Sequence, residues 1–117
     1  DICNTIEKEA IADEVPIIRK EMGNLLKVLL QLVQPERILE VGTAVGYSSI
    51  LMSENMPKDC RIVTIENYDK RIQAARNNIK RAGKEDCIQL IEGDALKVLK
   101  ELEGPYDFIF MDAAKGQ

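Results

Sequence analysis

The sequence lacks the residue patterns that would indicate a disulfide-bonded, zinc-binding or membrane-spanning protein. Its three cysteines, Cys3, Cys60 and Cys87, are isolated and show no C-x-x-C spacing. An odd, scattered set of this kind predicts reduced thiols and a cytoplasmic protein. No apolar run approaches the length of a membrane span, so we expect no membrane partner.

An excess of positive charge is also missing. Sixteen basic and twenty acidic residues give a formal net charge of −4. This balance argues against a broad nucleic-acid-binding surface, although it leaves room for a local basic patch. Repeats, linkers and low-complexity tracts are absent as well, so we expect a single domain over residues 1–117.

Short apolar segments alternate with helical patterns along the chain. The patterns predict strands at 37–41, 61–65, 88–91 and 106–111, and helices at 1–13, 16–33, 47–55, 69–82 and 95–102. For the helix at 69–82 we predict Asp69 as the N-cap and Gly83 as the residue just past the end. Strands that alternate with helices indicate β-α-β units, so we predict an α/β fold with a parallel sheet and helices on both faces. Residues 1–35 form a helical lead and residues 36–117 the β-α core.

Two of these elements carry further expectations. The helix at 16–33 is predicted to pack through one apolar stripe, made of Ile18, Met22, Leu25, Leu26, Leu29, Leu32 and Val33. The run Phe108–Met111 is apolar without alternation, which is typical of a central strand that is covered on both faces. Because the sequence stops soon afterwards, we expect further strands beside it and a fold that is truncated after its fourth strand.

A glycine turn follows the first strand. Gly42 and Gly46 are separated by three residues, and a helix-like segment begins close behind them. At such a turn the backbone N–H groups and the helix N-terminus favour an anionic or polar ligand group. The G-x-x-x-G spacing differs from the G-x-G-x-x-G of dinucleotide-binding enzymes, which argues against a nicotinamide oxidoreductase.

A glycine or an acidic residue recurs where each predicted strand ends, at Gly42, Glu66, Asp94 and Asp112. Right-handed crossovers bring these strand ends to one edge of the sheet, where ligands bind. There Glu66 can accept the hydroxyls of a ribose, or it is a solvated charge. Asp94 can accept from a purine amine, or cap the following helix, or do both.

Three further charged side chains have two interpretations each. Glu40 lies within the first strand, where it can receive an ammonium group directly or through water, or form an ion pair. Asp112 follows an apolar strand, so a cation, either a metal or a sulfonium, is a natural partner. Lys115 is a candidate base, because a nearby cation or a dry site lowers a lysine pKa, or it is a solvated loop residue.

Together these segments resemble a known family. The segments L-E-V-G-T-A-V-G-Y-S-S at 39–49, T-I-E at 64–66, E-G-D-A at 92–95 and Y-D-F-I-F-M-D-A-A-K-G-Q at 106–117 resemble the S-adenosylmethionine-dependent, metal-dependent O-methyltransferases of the catechol and caffeoyl-CoA type. The lead V-P-I-I-R-K-E-M-G at 15–23 is similar to bacterial members. The resemblance implies a Rossmann-like class I methyltransferase fold.

The resemblance also implies roles for particular residues. The methionine end of the cofactor would be held by Glu40, Gly42 and Ser48, its ribose by Glu66, and its adenine by Asp94 and Ala95. Asp112 would bind a divalent metal, usually magnesium, and Lys115 would be the general base. The family's other metal ligands would lie beyond Gln117, so we expect the segment alone to be inactive.

The acceptor stays open on the sequence. Bacterial relatives methylate either small catechols or 5-hydroxyuridine in tRNA, and many form homodimers. The alternative is a non-catalytic module that only binds S-adenosylmethionine, against which Asp112 and Lys115 argue.

Overall fold

The computed structural model of the protein describes residues 1–13 and 17–111. It contains helices α1 (Ile2–Ala12), α2 (Lys20–Val33), α3 (Tyr47–Ser53), α4 (Asp69–Arg81) and α5 (Ala95–Glu101), and strands β1 (Arg37–Val41), β2 (Arg61–Glu66), β3 (Ile88–Glu92) and β4 (Phe108–Met111). The four strands form one parallel sheet in the order β3-β2-β1-β4. The α/β fold class that the sequence predicts is confirmed.

Helices cover both faces of the sheet. Helices α3 and α4 connect strands that advance from β1 to β3, whereas α5 connects β3 back past β2 and β1 to β4. With right-handed crossovers, α5 therefore lies on the face opposite α3 and α4. The main hydrophobic cluster lies on the α3 side, where α1, α2 and α3 pack on strand residues such as Ile38 and Ile62.

Helix α2 differs from the prediction in its start and in its buried face. It begins at Lys20, because the β-branched pair Ile17 and Ile18 stays outside the helix and packs on the core, and Arg19 is extended. Its buried residues are Gly23, Leu26 and Leu30. The predicted stripe is therefore wrong at four positions, since Met22, Leu25, Leu32 and Val33 are exposed. Leu26 is buried as predicted, and Ile18 and Leu29 are half-buried.

The reason is that α2 is apolar around most of its circumference, so periodicity alone does not select the face. Gly23 selects it. A Cβ built at Gly23 would lie 3.2 Å from the Cδ2 atom of Leu51. The missing side chain lets α2 approach α3 closely at this point.

Helix α4 ends as its sequence predicts, at a glycine. Gly83 has a φ of 70°, and its N–H donates to the Lys80 carbonyl, while the Lys84 N–H donates to the Ile79 carbonyl. These two bonds form a Schellman motif. At the other end, Asp69 is the first helical residue and Tyr68 is the N-cap, so the predicted capping role of Asp69 is wrong.

Strand β4 begins two residues later than predicted, at Phe108. The carboxylate of Asp107 accepts from the backbone N–H groups of Glu36 and Arg37 at 2.9 Å each, and the Arg37 guanidinium lies 4.6 Å from the centre of the Tyr106 ring. These contacts fix the start of β4 beside the start of β1.

Cys3, Cys60 and Cys87 are free thiols, as their spacing predicts. Burial raises the pKa of the Cys3 thiol to about 12 and that of the Cys60 thiol to about 11. Within residues 1–13 and 17–111, no helix has the length and apolar composition needed to cross a bilayer.

Candidate cofactor site

The carboxyl ends of β1, β2 and β3 meet at a groove of about 350 Å³. Its lining consists of residues that follow these three strands: Val41, Gly42, Ile65, Glu66, Asn67, Gly93, Asp94, Ala95 and Leu96. The structure thus brings together four of the residues selected from the sequence, Gly42, Glu66, Asp94 and Ala95. Parallel strands place their C-terminal ends at one edge, which is the usual ligand-binding edge of an α/β sheet.

Gly42, on one wall of the groove, begins the turn between β1 and α3. The Gly46 N–H donates to the Thr43 carbonyl at 2.9 Å and closes the turn. Gly42 and Gly46 have φ values of 96° and 87°, and between them Ala44 adopts a φ of 49°. A left-handed alanine costs roughly 1–2 kcal/mol, so surrounding contacts must hold it in place.

Glu66 supplies one of these contacts. Its side chain is 7% exposed. Oε1 accepts from the Ala44 N–H at 2.8 Å, and Oε2 accepts from the N–H groups of Asn67 and Tyr68 at 3.1 Å each. A carboxylate has about four acceptor sites. Donors in the described part of the chain use three of them, which leaves a site on Oε1 for a ligand hydroxyl.

Glu40 lies under the turn and not in the groove. Its side chain has 0% exposure, because the even-numbered positions of β1 face the α1–α3 side of the sheet. Its carboxylate accepts from the hydroxyls of Ser48 and Ser49 in the first turn of α3. The structure thus connects Glu40 to the start of α3 and does not place it among the residues that line the groove.

A third hydroxyl also donates to Glu40. The Thr64 hydroxyl donates to Glu40 Oε1 at 2.5 Å and lies 2.6 Å from the hydroxyl of Thr43. A hydroxyl carries one proton, and Thr64 donates its proton to Glu40. In the bond between the two threonines, Thr43 must therefore be the donor. This directional chain connects the buried carboxylate of β1 to Thr43 in the glycine turn.

Asp94 caps α5. Its Oδ1 accepts from the Leu96 N–H at 2.8 Å, which confirms the capping interpretation. Gly93, just before it, has a φ of 151° and donates its N–H to the Glu66 carbonyl at 3.0 Å. Ala95 and the exposed side chain of Leu96 complete the wall opposite the glycine turn.

Several residues of this arrangement were missed in the sequence, namely Thr43, Ser49, Thr64 and Asn78. Asn78 lies on the buried face of α4 and its Nδ2 donates to the Val45 carbonyl in the turn at 2.7 Å. The signal for Thr64 and Asn78 was a polar residue at a core position of an otherwise apolar strand or helix face. Such a residue must find a partner, and here the partner is the turn or Glu40.

Asp112 and Lys115, which were predicted as metal ligand and base, lie outside the described residues. Strand β4 leads to them, and its last residue, Met111, pairs with Val41 at the groove end of β1. Residues 1–13 and 17–111 contain no group of three or more His, Cys, Asp or Glu side chains that is suited to a metal ion.

The sequence matches the family model described as O-methyltransferase over residues 4–117. A catechol O-methyltransferase from Niastella koreensis is 40% identical over 84% of this chain and 46% of its own length. A putative caffeoyl-CoA O-methyltransferase structure from Staphylococcus aureus superposes with a TM-score of 0.90 at 35% identity, over 98% of this chain and 55% of that one. The O-methyltransferase from Bacillus cereus in complex with SAH gives 0.86 at 32% identity, over 96% and 54%.

The chain therefore spans about half the length of the relatives that it matches. The match with the family model extends over almost all of its residues, and the groove at the ends of β1 to β3 lies within it. The chain belongs to the O-methyltransferase family.

Proposed function

We propose that the protein is an S-adenosylmethionine-dependent O-methyltransferase and that the groove at the ends of β1 to β3 holds the cofactor. The observation that carries the proposal is the convergence of Gly42, Glu66 and Asp94 on one groove. The similar enzyme from Bacillus cereus, whose structure was determined in complex with S-adenosylhomocysteine (SAH), supports the same assignment.

The ribose would bind to Glu66. Oε1 has room for one more donor once the Ala44 N–H is counted, so one ribose hydroxyl would donate there. The three backbone N–H groups that donate to the carboxylate hold it in one orientation at the edge of the groove. We propose one ribose hydroxyl on Glu66 and not two, since Oε2 already accepts from the N–H groups of Asn67 and Tyr68.

The adenine would lie between the backbone at Asp94 and Ala95 and the side chain of Leu96. The Leu96 side chain is 73% exposed on the groove wall, and covering it with a purine would remove apolar surface from water. One oxygen of Asp94 is used by the helix cap. The carboxylate retains acceptor sites for a purine amine.

The methionine end would lie along the turn from Gly42 to Ser48. Backbone N–H groups at the start of α3 suit its carboxylate. Glu40 would act through Ser48, because its carboxylate is buried and accepts from that hydroxyl. Its role in this proposal is therefore to orient Ser48 and not to contact the cofactor.

We propose that Asp112 binds a divalent metal ion, with magnesium the expected one, and that Lys115 is the general base. A bound divalent ion would lower the pKa of an acceptor hydroxyl. Lys115 would take the hydroxyl proton while the oxygen forms a bond to the cofactor methyl carbon. The carbon–sulfur bond breaks, its electron pair stays on sulfur, and SAH leaves.

We propose a small catechol-like compound as the acceptor. Support comes from the name of the Niastella koreensis relative and from the net charge of −4, which does not favour a polyanionic RNA. A 5-hydroxyuridine of tRNA is the other acceptor. We also propose a cytoplasmic location, which the three free thiols suit, and a homodimer, which light scattering would detect.

The experiment follows labelled methyl transfer from S-adenosylmethionine by the full-length protein to catechol and to hypomodified tRNA, each with magnesium and with chelator. Chelator-sensitive labelling of catechol is the expected result. Labelling of tRNA alone would replace the acceptor. SAH binding without transfer to either acceptor would support the non-catalytic module instead.

A further inference from the structure

The glycine turn rests on α4 through a buried amide. Asn78 is 8% exposed, and its Nδ2 donates to the Val45 carbonyl at 2.7 Å. It shares the buried face of α4 with Ile72, Ala75 and Ile79. A buried amide on such a face is costly unless both of its ends are hydrogen-bonded, so its presence there calls for a specific partner at each end.

Arg81 determines which end of the amide faces the turn. Its Nη2 donates to Asn78 Oδ1 at 2.5 Å. Because a guanidinium only donates, the oxygen of the amide must face Arg81 and the nitrogen must face Val45. Arg81 is itself held by Glu9 of α1, with an Nη2–Oε1 distance of 2.6 Å. The contacts therefore run from α1 through α4 to the turn.

The turn is held from two sides at successive residues. Glu66 of β2 accepts from the N–H of Ala44, the left-handed alanine, and Asn78 of α4 donates to the carbonyl of Val45. Gly46 follows at once and lies against α4, where an added Cβ would be 3.5 Å from the Ala75 carbonyl oxygen. These contacts hold the turn between β2 and α4, and they thereby fix the direction of the backbone N–H groups at the start of α3.

We infer that Asn78 is a positioning residue for the cofactor and that it acts through the turn. By holding the Val45 carbonyl it fixes the turn that presents the backbone from Gly42 to Ser48 to the amino-acid end of the cofactor. The inference rests on the proposed function, because it assigns that end to this turn. The ribose and adenine would bind at Glu66, Asp94 and Ala95, whereas the side-chain hydrogen bonds of Asn78 go to Val45 and Arg81.

The test compares two ligands by calorimetry on the full-length protein. SAH carries the amino-acid end, whereas 5′-methylthioadenosine keeps the nucleoside and the sulfur but lacks that end. Asn78→Ala removes the bond to Val45, and Asn77→Ala, at the exposed neighbouring position of α4, is the matched control. We expect Asn78→Ala to weaken SAH binding about tenfold, as for one lost buried hydrogen bond, and methylthioadenosine binding less than about twofold. Asn77→Ala should change neither beyond about twofold.

If Asn78 had a merely structural role, Asn78→Ala would weaken the binding of both ligands equally, and that result would overturn the inference. Unchanged SAH binding in Asn78→Ala, or an equal loss in Asn77→Ala, would overturn it as well. If Asn78→Ala does not fold, Asn78→Asp serves, since it keeps an acceptor for Arg81 and loses the donor to Val45. The same selective loss is expected, and equal losses would again overturn the inference. Absence of SAH binding in the unmodified protein would overturn the proposed function itself and is distinguishable from all of these results.

Discussion

At the scale of single residues, the carboxylates of Glu40 in β1 and Glu66 in β2 differ in what they can bind, because they are buried to different depths. Glu66 is nearly buried but keeps an acceptor site towards the groove, whereas Glu40 is fully buried and accepts from three hydroxyls. Both positions were selected from the sequence. Both side chains point to the same face of the sheet, because Glu40 pairs with Thr64 and Glu66 lies two residues further along β2. They differ because Glu40 lies inside its strand, below serine hydroxyls of α3, whereas Glu66 ends its strand at the edge of the groove.

Other residues were not selected because their partners are distant in sequence. Asn78 binds the carbonyl of a residue 33 positions away, and Asp107 binds N–H groups 70 and 71 positions away. In the sequence each is an ordinary polar residue. Only the folded arrangement shows that Asn78 supports the turn and that Asp107 connects β4 to β1.

Asp107 leads to a prediction about pH. The N–H groups of Glu36 and Arg37 hold the pKa of its carboxyl below the usual value in the folded state. The bonds therefore stabilise the fold above the unfolded pKa of about 4, and the contribution is lost as pH falls through the lower folded value. In urea unfolding, Asp107→Asn should lower the midpoint at pH 7, and the difference from the unmodified protein should shrink towards pH 3. A difference that stays constant with pH would contradict this account.

At the scale of elements, the sequence predicts which helices and strands exist and in what order. It predicts the buried face of a helix and the residues where an element begins and ends less well. Gly83 ends α4 in the predicted way because a left-handed glycine is a local signal. The buried face of α2 was not predictable from spacing, since the helix is apolar on two sides. The close approach of Gly23 to Leu51 decides it, and that contact is not local.

Two glycines allow the turn to be tested against backbone strain alone. Gly46 and Gly83 have similar φ values, 87° and 70°, but Gly46 lies in the glycine turn against α4, and a Cβ at Gly83 would meet nothing within 4 Å. Gly46→Ala and Gly83→Ala should each lower the free energy of unfolding by about 1 kcal/mol, since both place alanine in the left-handed region. Only Gly46→Ala should also weaken SAH binding, which calorimetry measures. An equal effect of both variants on SAH binding would mean that the turn does not set the site.

At the scale of the whole molecule, the sheet follows from the alternation of strands and helices. That alternation, with right-handed crossovers, brings Gly42, Glu66 and Asp94 together although they are far apart in the sequence. The location of the candidate site was therefore predictable before any side-chain contact was known. What the sequence did not show is the supporting layer beneath the turn, which is formed by Thr43, Thr64 and Asn78.

Binding of the cofactor in this groove through Glu66 is tested by calorimetric titration of SAH into the full-length protein and two variants. Glu66→Gln removes the charged acceptor, and Glu92→Gln is its control, because Glu92 pairs with Glu66 in the sheet register but is exposed and ion-paired with Arg76. We predict that Glu66→Gln weakens SAH binding at least about tenfold, as expected for hydrogen bonds to a charged group, and that Glu92→Gln changes it less than about twofold. Equal affinities in the two variants, or no SAH binding by the unmodified protein, would contradict the assignment of the groove.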